Sequence, residues 1–341
     1  MSIVGAFDVH RRQLTFEYLD TATGELRNGR VVPADREHLR EWLARFAGHG
    51  EAEFALEGCT GWRYVVEELC RAGIKPHLAE PADTAALRGK KRHAKTDKTD
   101  TRHLRVHLMA GDLPESWIPP DHVLEARAAV RLYKDLLDER GAWHQRIAAT
   151  LFHQGVPVIG SMASAAGRAA VAGVDLSPAG RQAIEAGLRQ IDRLTGELDP
   201  LRRQLAMLSR RQPGCRALRA TQFGVGPVTS VAIWAELGDV RRFANSDNAV
   251  RHTGLDITVY SSDTKRSAGH LSRQGPELLR WALYESAKCA ARPAAPDYRY
   301  YAAARDRRNA GLATLSVARK LARRCYHTLR DLGEEALQPA A

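Results

Sequence analysis

Along the first hundred residues the apolar positions switch repeatedly between a period of two and a period near 3.6. Ile3-Val4-Gly5-Ala6-Phe7 is a short apolar run that closes on Asp8, the pattern of a buried strand ending in an acid. Leu14 to Tyr18 reads as a second strand, after a turn through His10 to Gln13. A hairpin turn at Thr21-Ala22-Thr23-Gly24-Glu25 returns the chain as a third strand, Arg27 to Val32. From Asp35 to Phe46 the spacing of Leu39, Leu43 and Phe46 is helical. Ala52 to Glu57 is again a strand that ends in an acid. Gly61 to Ala72 is helical, with Val65, Val66, Leu69 and Cys70 apolar, and Ile74 to Leu78 is a strand. Pro81 to Leu87 opens a helix, and Thr99 to Met109 forms another. This βββαβαβα order predicts an α/β domain of the RNase H-like type: a mixed sheet flanked by helices, with acids at strand ends.

The rest of the chain predicts helices almost throughout. Leu124 to Leu151 and Pro178 to Leu208 are long, charged and periodic. In the second, Ile184, Leu188, Ile191, Leu194, Leu198, Leu201, Leu205 and Leu208 recur at spacings of three and four, a seam suited to a coiled coil or to packing within its own domain. The small-residue stretch Gly160 to Gly173 between them reads as a loop or a short helical hairpin. A further unit begins near Pro213. It carries the turn Phe223-Gly224-Val225-Gly226-Pro227 before an apolar helix, then Phe243, Asn248 to Gly254 and a polar stretch from Tyr260 to Gly269. After Gly275 the chain is largely helical through Leu332. No run of about 18 apolar residues exists, so no membrane span is expected.

The acids change this from a fold to a candidate chemistry. Asp8 and Glu57 end two strands that an RNase H-like sheet places side by side. Asp97 and Asp100, spaced i, i+3, share one face of a helix that can pack beside them. Four carboxylates so placed repel one another unless a cation lies between them. Two-metal phosphodiester chemistry uses such a set to hold ions about 3.5–4 Å apart. Hard oxygen ligands favour Mg²⁺, as one or two ions. The plainer reading of Asp97 and Asp100 is a helix cap with acids in the first turn. Upstream lies a basic run, Lys90, Lys91, Arg92 and Lys95, fit to hold an anionic polymer. The formal net charge of +11 points the same way, to DNA or RNA.

Two further motifs are weaker. Gly224-Val225-Gly226 ahead of a helix resembles a helix-hairpin-helix element, whose backbone N–H groups can approach a phosphate; it reads equally as an interhelix turn. Ser261 and Ser262 lie beside Lys265 and Arg266 in a polar turn. A serine there becomes a nucleophile only where its proton is withdrawn; the commoner reading is a solvated loop. Five scattered cysteines, odd in number and without a CxxC pair, fit a thiol-containing cytoplasmic protein and argue against zinc. The first residues have neither a basic region nor a long apolar stretch, so no signal peptide is expected.

Taken together, these segments resemble the IS110 family of transposases over most of the chain. The N-terminal likeness runs through Gly5-Ala6-Phe7-Asp8, Leu56-Glu57-Gly58-Cys59-Thr60-Gly61 and Lys95-Thr96-Asp97-Lys98-Thr99-Asp100-Thr101-Arg102. The C-terminal likeness runs through Phe223 to Thr229, Glu236-Leu237-Gly238-Asp239, Phe243, Gly254-Leu255, Ser272 to Gly275 and Leu278 to Leu283. The resemblance implies three parts: a RuvC-like DEDD catalytic domain over residues 1–115, a helical, coiled-coil dimerisation region over 116–212, and a mainly helical C-terminal transposase domain over 213–341. It implies Asp8, Glu57, Asp97 and Asp100 as metal ligands. It also implies a serine that forms a covalent phosphoserine link to DNA. Counting from Gly254-Leu255 gives Ser262, with Ser261 as the fallback. Two positions depart from the family pattern: Asp263 replaces the usual glycine after the serine, and Ile257 stands near the place of a proline.

The same resemblance implies partners: element ends and target DNA, a structured non-coding guide RNA, and a dimer or tetramer of the chain. The acids of one subunit would act with the serine of another. It places the action in the bacterial cytoplasm, at the nucleoid. Two other functions remain open on sequence. One is a RuvC-like structure-specific endonuclease, such as a junction resolvase, that uses water. The other is a non-catalytic nucleic-acid-binding relic of a transposase.

Overall fold

The structure is a computed structural model, and it describes residues 3–48, 50–87, 97–157, 159–160, 162, 164–257, 269–340 and the backbone of 261–262 and 265–266. The chain divides into two compact units, Met1–Ile118 and Pro119–Ala341.

The first unit is built on a five-stranded sheet in the order β3-β2-β1-β4-β5. The strands are β1 (Ile3–Val9), β2 (Leu14–Asp20), β3 (Leu26–Val31), β4 (Ala52–Glu57) and β5 (Lys75–Ala79). β2 is antiparallel to β1 and β3, whereas β4 runs parallel to both β1 and β5. The helices are α1 (Arg36–Leu43), α2 (Trp62–Arg71), α3 (Pro81–Leu87) and α4 (Asp97–Ala110). This is the mixed α/β arrangement that the alternating periods predict, with strand and helix ends shifted by a residue or two.

Period-two alternation sorts the sheet into two unlike faces. One face carries Ile3, Phe7, Leu14, Phe16, Tyr18, Phe54 and Leu56, packed with Leu39, Trp42 and Leu43 of α1 and Val65 and Leu69 of α2. Rings dominate it: Trp42 lies 4.4 Å from Phe16 and 5.3 Å from Phe7, centroid to centroid. Gly5 sits under the ring of Phe54, where a Cβ would come within 2.3 Å of a ring carbon. The opposite face carries Val4, Ala6, Ala55 and Ala79 and packs against Leu104 and Leu108 of α4. Its alanines let α4 approach closely. This second face also holds the polar residues of the sheet, because Asp8, Thr15, Glu17, Glu53, Glu57 and His77 all fall on the same parity as those alanines.

The second unit begins with two long helices, α5 (Asp121–His153) and α7 (Pro178–Arg211), joined through α6 (Ala165–Ala172). They run antiparallel. Arg140 bonds Thr195, Gly187 faces Ile147, and Gln154 bonds Ser177 at the far end. The leucine-isoleucine seam of α7 is spent partly on this pair, where Ile184 and Ile191 pack with Ile147 and Leu151. Then follow α8 (Pro213–Thr221), α9 (Pro227–Leu237), α10 (Ser246–His252), a two-stranded ribbon of β6 (Ser261–Ser262) and β7 (Lys265–Arg266), α11 (Glu277–Ala287), α12 (Tyr298–Arg307) and α13 (Ala310–Leu332). α9 is buried from Ser230 to Leu237, as its nearly all-apolar sequence requires. Its Trp234 donates from Nε1 to the carbonyl of Ala336 at 2.7 Å. Among the described residues no helix is long and apolar enough to cross a membrane, and the cysteines form no disulfide.

Candidate active site

Register brings two of the sequence-predicted acids to one edge. Phe7 of β1 pairs with Leu56 of parallel β4, so the next positions, Asp8 and Glu57, are neighbours at the carboxyl ends of adjacent strands. Ligand sites in sheets of this kind form at the carboxyl ends of the parallel strands. Both residues lie on the α4 face. α4 starts at Asp97 and carries Asp100 one turn on. The helix is anchored below that start by a buried ion pair: Arg105 donates from Nε to Oε1 of Glu17 on β2 at 2.9 Å, with the two side chains 9% and 2% exposed. Leu104 and Leu108 clamp the same helix to Val4 and Ala6. The packing that seats α4 therefore fixes where Asp97 stands relative to Asp8.

The tightest cluster among the described residues is Asp8, Asp97 and His10, whose donor atoms all lie within 4.8 Å of one another. His10 Nε2 is 3.0 Å from Asp8 Oδ2 and 3.5 Å from Asp97 Oδ1. Gln13 donates from Nε2 to the other Asp97 oxygen, Oδ2, at 3.1 Å. Asp100 lies near enough for its charge to bear on Asp8. Glu57 sits half-buried at its strand end, outside the three-residue cluster. Burial pushes the Asp8 carboxyl above its ordinary value. His10 pulls it back, and the charges of Asp97 and Asp100 push it up again.

The surroundings fit a cation. Thr15, opposite Asp8 in the register, is buried, and its hydroxyl oxygen has no hydrogen-bond partner among the described residues. Beside it a cavity of about 420 Å³ is lined by Thr15, Asn28, Gly29, Arg30, Asp97 and Lys98. Burial and the nearby charges of Asp97 and Asp100 raise the Asp8 carboxyl, and a divalent ion with oxygen ligands relieves that cost. Asp8 and Asp97 would hold it, with Glu57 and Asp100 at the margin.

The other sequence-predicted residues are placed as follows. Lys90, Lys91, Arg92 and Lys95 lie outside the described residues. Ser261 and Ser262 form β6, and Lys265 and Arg266 form β7, with Ser262 paired to Lys265; their side chains lie outside the description. Gly224 has φ of 86°, and a Cβ there would come within 2.4 Å of the Ser286 carbonyl oxygen. Its missing side chain is thus required by packing against the end of α11. The Gly226 N–H is taken by Thr229 Oγ1 at 2.9 Å.

Three participants escape a sequence reading. His10 is two residues past Asp8 and so on the same side of the chain, a signal that alternation carries but that the apparent turn obscures. Gln13 and Thr15 come to the site only through the β1–β2 pairing.

Comparison with known proteins places the chain among transposases. Residues 5–153 match the DEDD transposase family of the IS110 type, and residues 216–302 match the transposase IS116/IS110/IS902 family. A probable family 20 transposase of Pseudomonas aeruginosa is 25% identical over 286 residues, covering 79% of this chain and 81% of the relative.

Proposed function

The chain belongs to the IS110 family of transposases, and from that premise we propose that it cuts and rejoins DNA through a carboxylate-held Mg²⁺ site and a serine nucleophile. It is an enzyme, its substrate is DNA, and DEDD transposases use divalent metal. The observation that carries the finer reading is the meeting of Asp8 and Asp97, from opposite ends of the first unit, beside the orphaned Thr15 hydroxyl. Mg²⁺ bound there supplies a Lewis acid that polarises a phosphoryl oxygen and favours ionisation of an attacking hydroxyl.

The chain's own residues do the rest. Asp8 and Asp97 would hold the ion, with Glu57 and Asp100 on the acidic rim, and Gln13 engages Asp97 Oδ2 so that Oδ1 stays turned to His10. Ser262, with Ser261 as the fallback, attacks the scissile phosphorus. One P–O bond forms to the serine and one breaks to a deoxyribose oxygen, which leaves with a proton. A strand hydroxyl then attacks the phosphoserine, so the bond energy is conserved and no ATP is needed. Lys90, Lys91, Arg92, Lys95, Lys265 and Arg266 contact phosphates rather than read bases. The turn at Gly224 and Gly226 offers the start of α9 to the backbone.

The wider reading is that a structured non-coding RNA supplies sequence specificity by pairing with target and donor. The residues divide as a catalytic domain (1–115), a dimerising helical region (116–212) and a C-terminal domain with the nucleophile (213–341). The long α5 and α7 helices support the helical character of the middle region. The test uses protein co-purified with its flanking non-coding RNA and element-junction DNA. Asp8→Asn and Asp97→Asn should lower divalent-dependent cleavage by about 10²-fold or more with an unchanged circular dichroism spectrum. Cleavage at the wild-type rate by either variant would remove the metal-site assignment.

A further inference from the structure

Nothing in the four-acid pattern calls for a histidine, yet His10 occupies the gap between its two best-placed members. Its Nε2 lies 3.0 Å from Asp8 Oδ2 and 3.5 Å from Asp97 Oδ1. Neighbouring ligands around an octahedral ion with bonds of about 2.1 Å stand about 3 Å apart. Both His10 separations are close to that spacing, and all three donor atoms lie within 4.8 Å of one another, so one ion can sit among them. The buried Thr15 hydroxyl, in the register position facing Asp8, has no partner among the described residues and marks the same neighbourhood as polar. Asp97 Oδ2 is already engaged by Gln13, which leaves Oδ1, the oxygen facing His10, for the ion.

We propose that His10 is a direct ligand of the divalent ion held by Asp8 and Asp97, making this a mixed nitrogen and oxygen site. The proposal rests on the metal-dependent reading above and deepens it. Its consequence is metal choice. Mg²⁺ is a hard ion that prefers an all-oxygen shell, while imidazole nitrogen strengthens binding of first-row transition ions. The site should favour Mn²⁺ over Mg²⁺ more than four carboxylates alone would. Binding requires a neutral imidazole that offers the Nε2 lone pair to the ion, with its proton on Nδ1. His10 is exposed and at a strand end, so its replacement leaves the sheet core untouched.

The experiment is Mn²⁺ titration of the full chain, followed by electron spin-echo spectroscopy of the bound ion for nitrogen coupling. Wild type should show an imidazole ¹⁴N modulation. His10→Asn and His10→Ser should lose it, weaken Mn²⁺ binding about tenfold or more, and leave Mg²⁺ binding, measured by competition, within about threefold. Asp8→Asn should lose both ions. Bound Mn²⁺ with no ¹⁴N coupling, or coupling that survives in both His10 variants, would overturn the ligand assignment and leave the carboxylate site standing. Failure of wild type to bind Mn²⁺ or Mg²⁺ would overturn both.

Discussion

Asp8 holds its carboxyl in a position where burial and two neighbouring acids keep it above the ordinary value. A carboxyl raised on folding stabilises the protein fully below its unfolded value of 3.8, and that contribution is lost as pH rises through the folded-state value. At neutral pH, without metal, Asp8 is thus a cost to the fold. Asp8→Asn should leave the metal-free melting temperature unchanged or raise it. A divalent ion should raise the melting temperature of wild type but not of the variant, because only a binding-competent native state gains from mass action. A clear metal-dependent rise in Asp8→Asn would contradict this. Glu68 shows the opposite sign. Burial pushes its carboxyl up, but hydrogen bonds from Arg40, Arg36 and Arg71 outweigh that and bring it from 4.5 down to about 2. Its contribution is present above 4.5 and lost as pH falls toward 2. Glu68→Gln should destabilise the neutral protein by about 1.5–3 kcal/mol and flatten the acid limb of its stability curve. Urea melts from pH 7 to pH 2 measure both. At this scale the sequence displays the four acids plainly, since each ends a strand or opens a helix. It hides His10 and two of the arginine partners of Glu68, Arg36 and Arg40, which reach it only by how α1 and α2 pack.

Helix α4 is the element on which the site depends. It supplies Asp97, and its seat on the sheet is the small-residue face of Val4, Ala6, Ala55 and Ala79 with the buried Arg105–Glu17 pair. Removing one partner of such a pair leaves an uncompensated buried charge, so Arg105→Leu alone should cost about 3–5 kcal/mol. The double variant Glu17→Leu/Arg105→Leu should be more stable than either single variant, and denaturant melts of all four proteins close that cycle. Additive losses would show that the pair does not seat the helix. The existence of α4 was legible from its periodicity, but its anchor was not. Glu17 sits in what reads as an ordinary alternating strand, and its partner lies far along the chain. α7 gives a second example. Its seam predicts packing of one helix on another, and the structure assigns part of that packing to α5 of the same chain through Ile184 and Ile191. Gly224 gives a third: the turn was visible, yet the reason for glycine, the Ser286 carbonyl against it, belongs to packing.

The whole molecule joins a cluster of acidic residues to a chain of net charge +11. That combination suits an enzyme that must hold a polyanion while gathering cations at one point of it. The βββαβαβα order was readable because short apolar strand segments ending in acids or turns separate segments of helical period. The helical remainder was readable as helices but not as an arrangement, since α9 packs on the distant α5, α7 and α11, and α13 on α8, α10 and α11. The central claim is that the chain exchanges strands through a covalent serine link under metal control, and a denaturing gel tests it most directly. Protein co-purified with its flanking non-coding RNA is incubated with labelled element-junction DNA and Mg²⁺, denatured, and examined for DNA-linked protein beside Ser262→Ala, Ser261→Ala and Asp8→Asn. The account predicts an adduct that is present in wild type and Ser261→Ala and absent in Ser262→Ala and Asp8→Asn. Free cut ends with no adduct, unaffected by either serine substitution, would mean that water is the nucleophile and would contradict it.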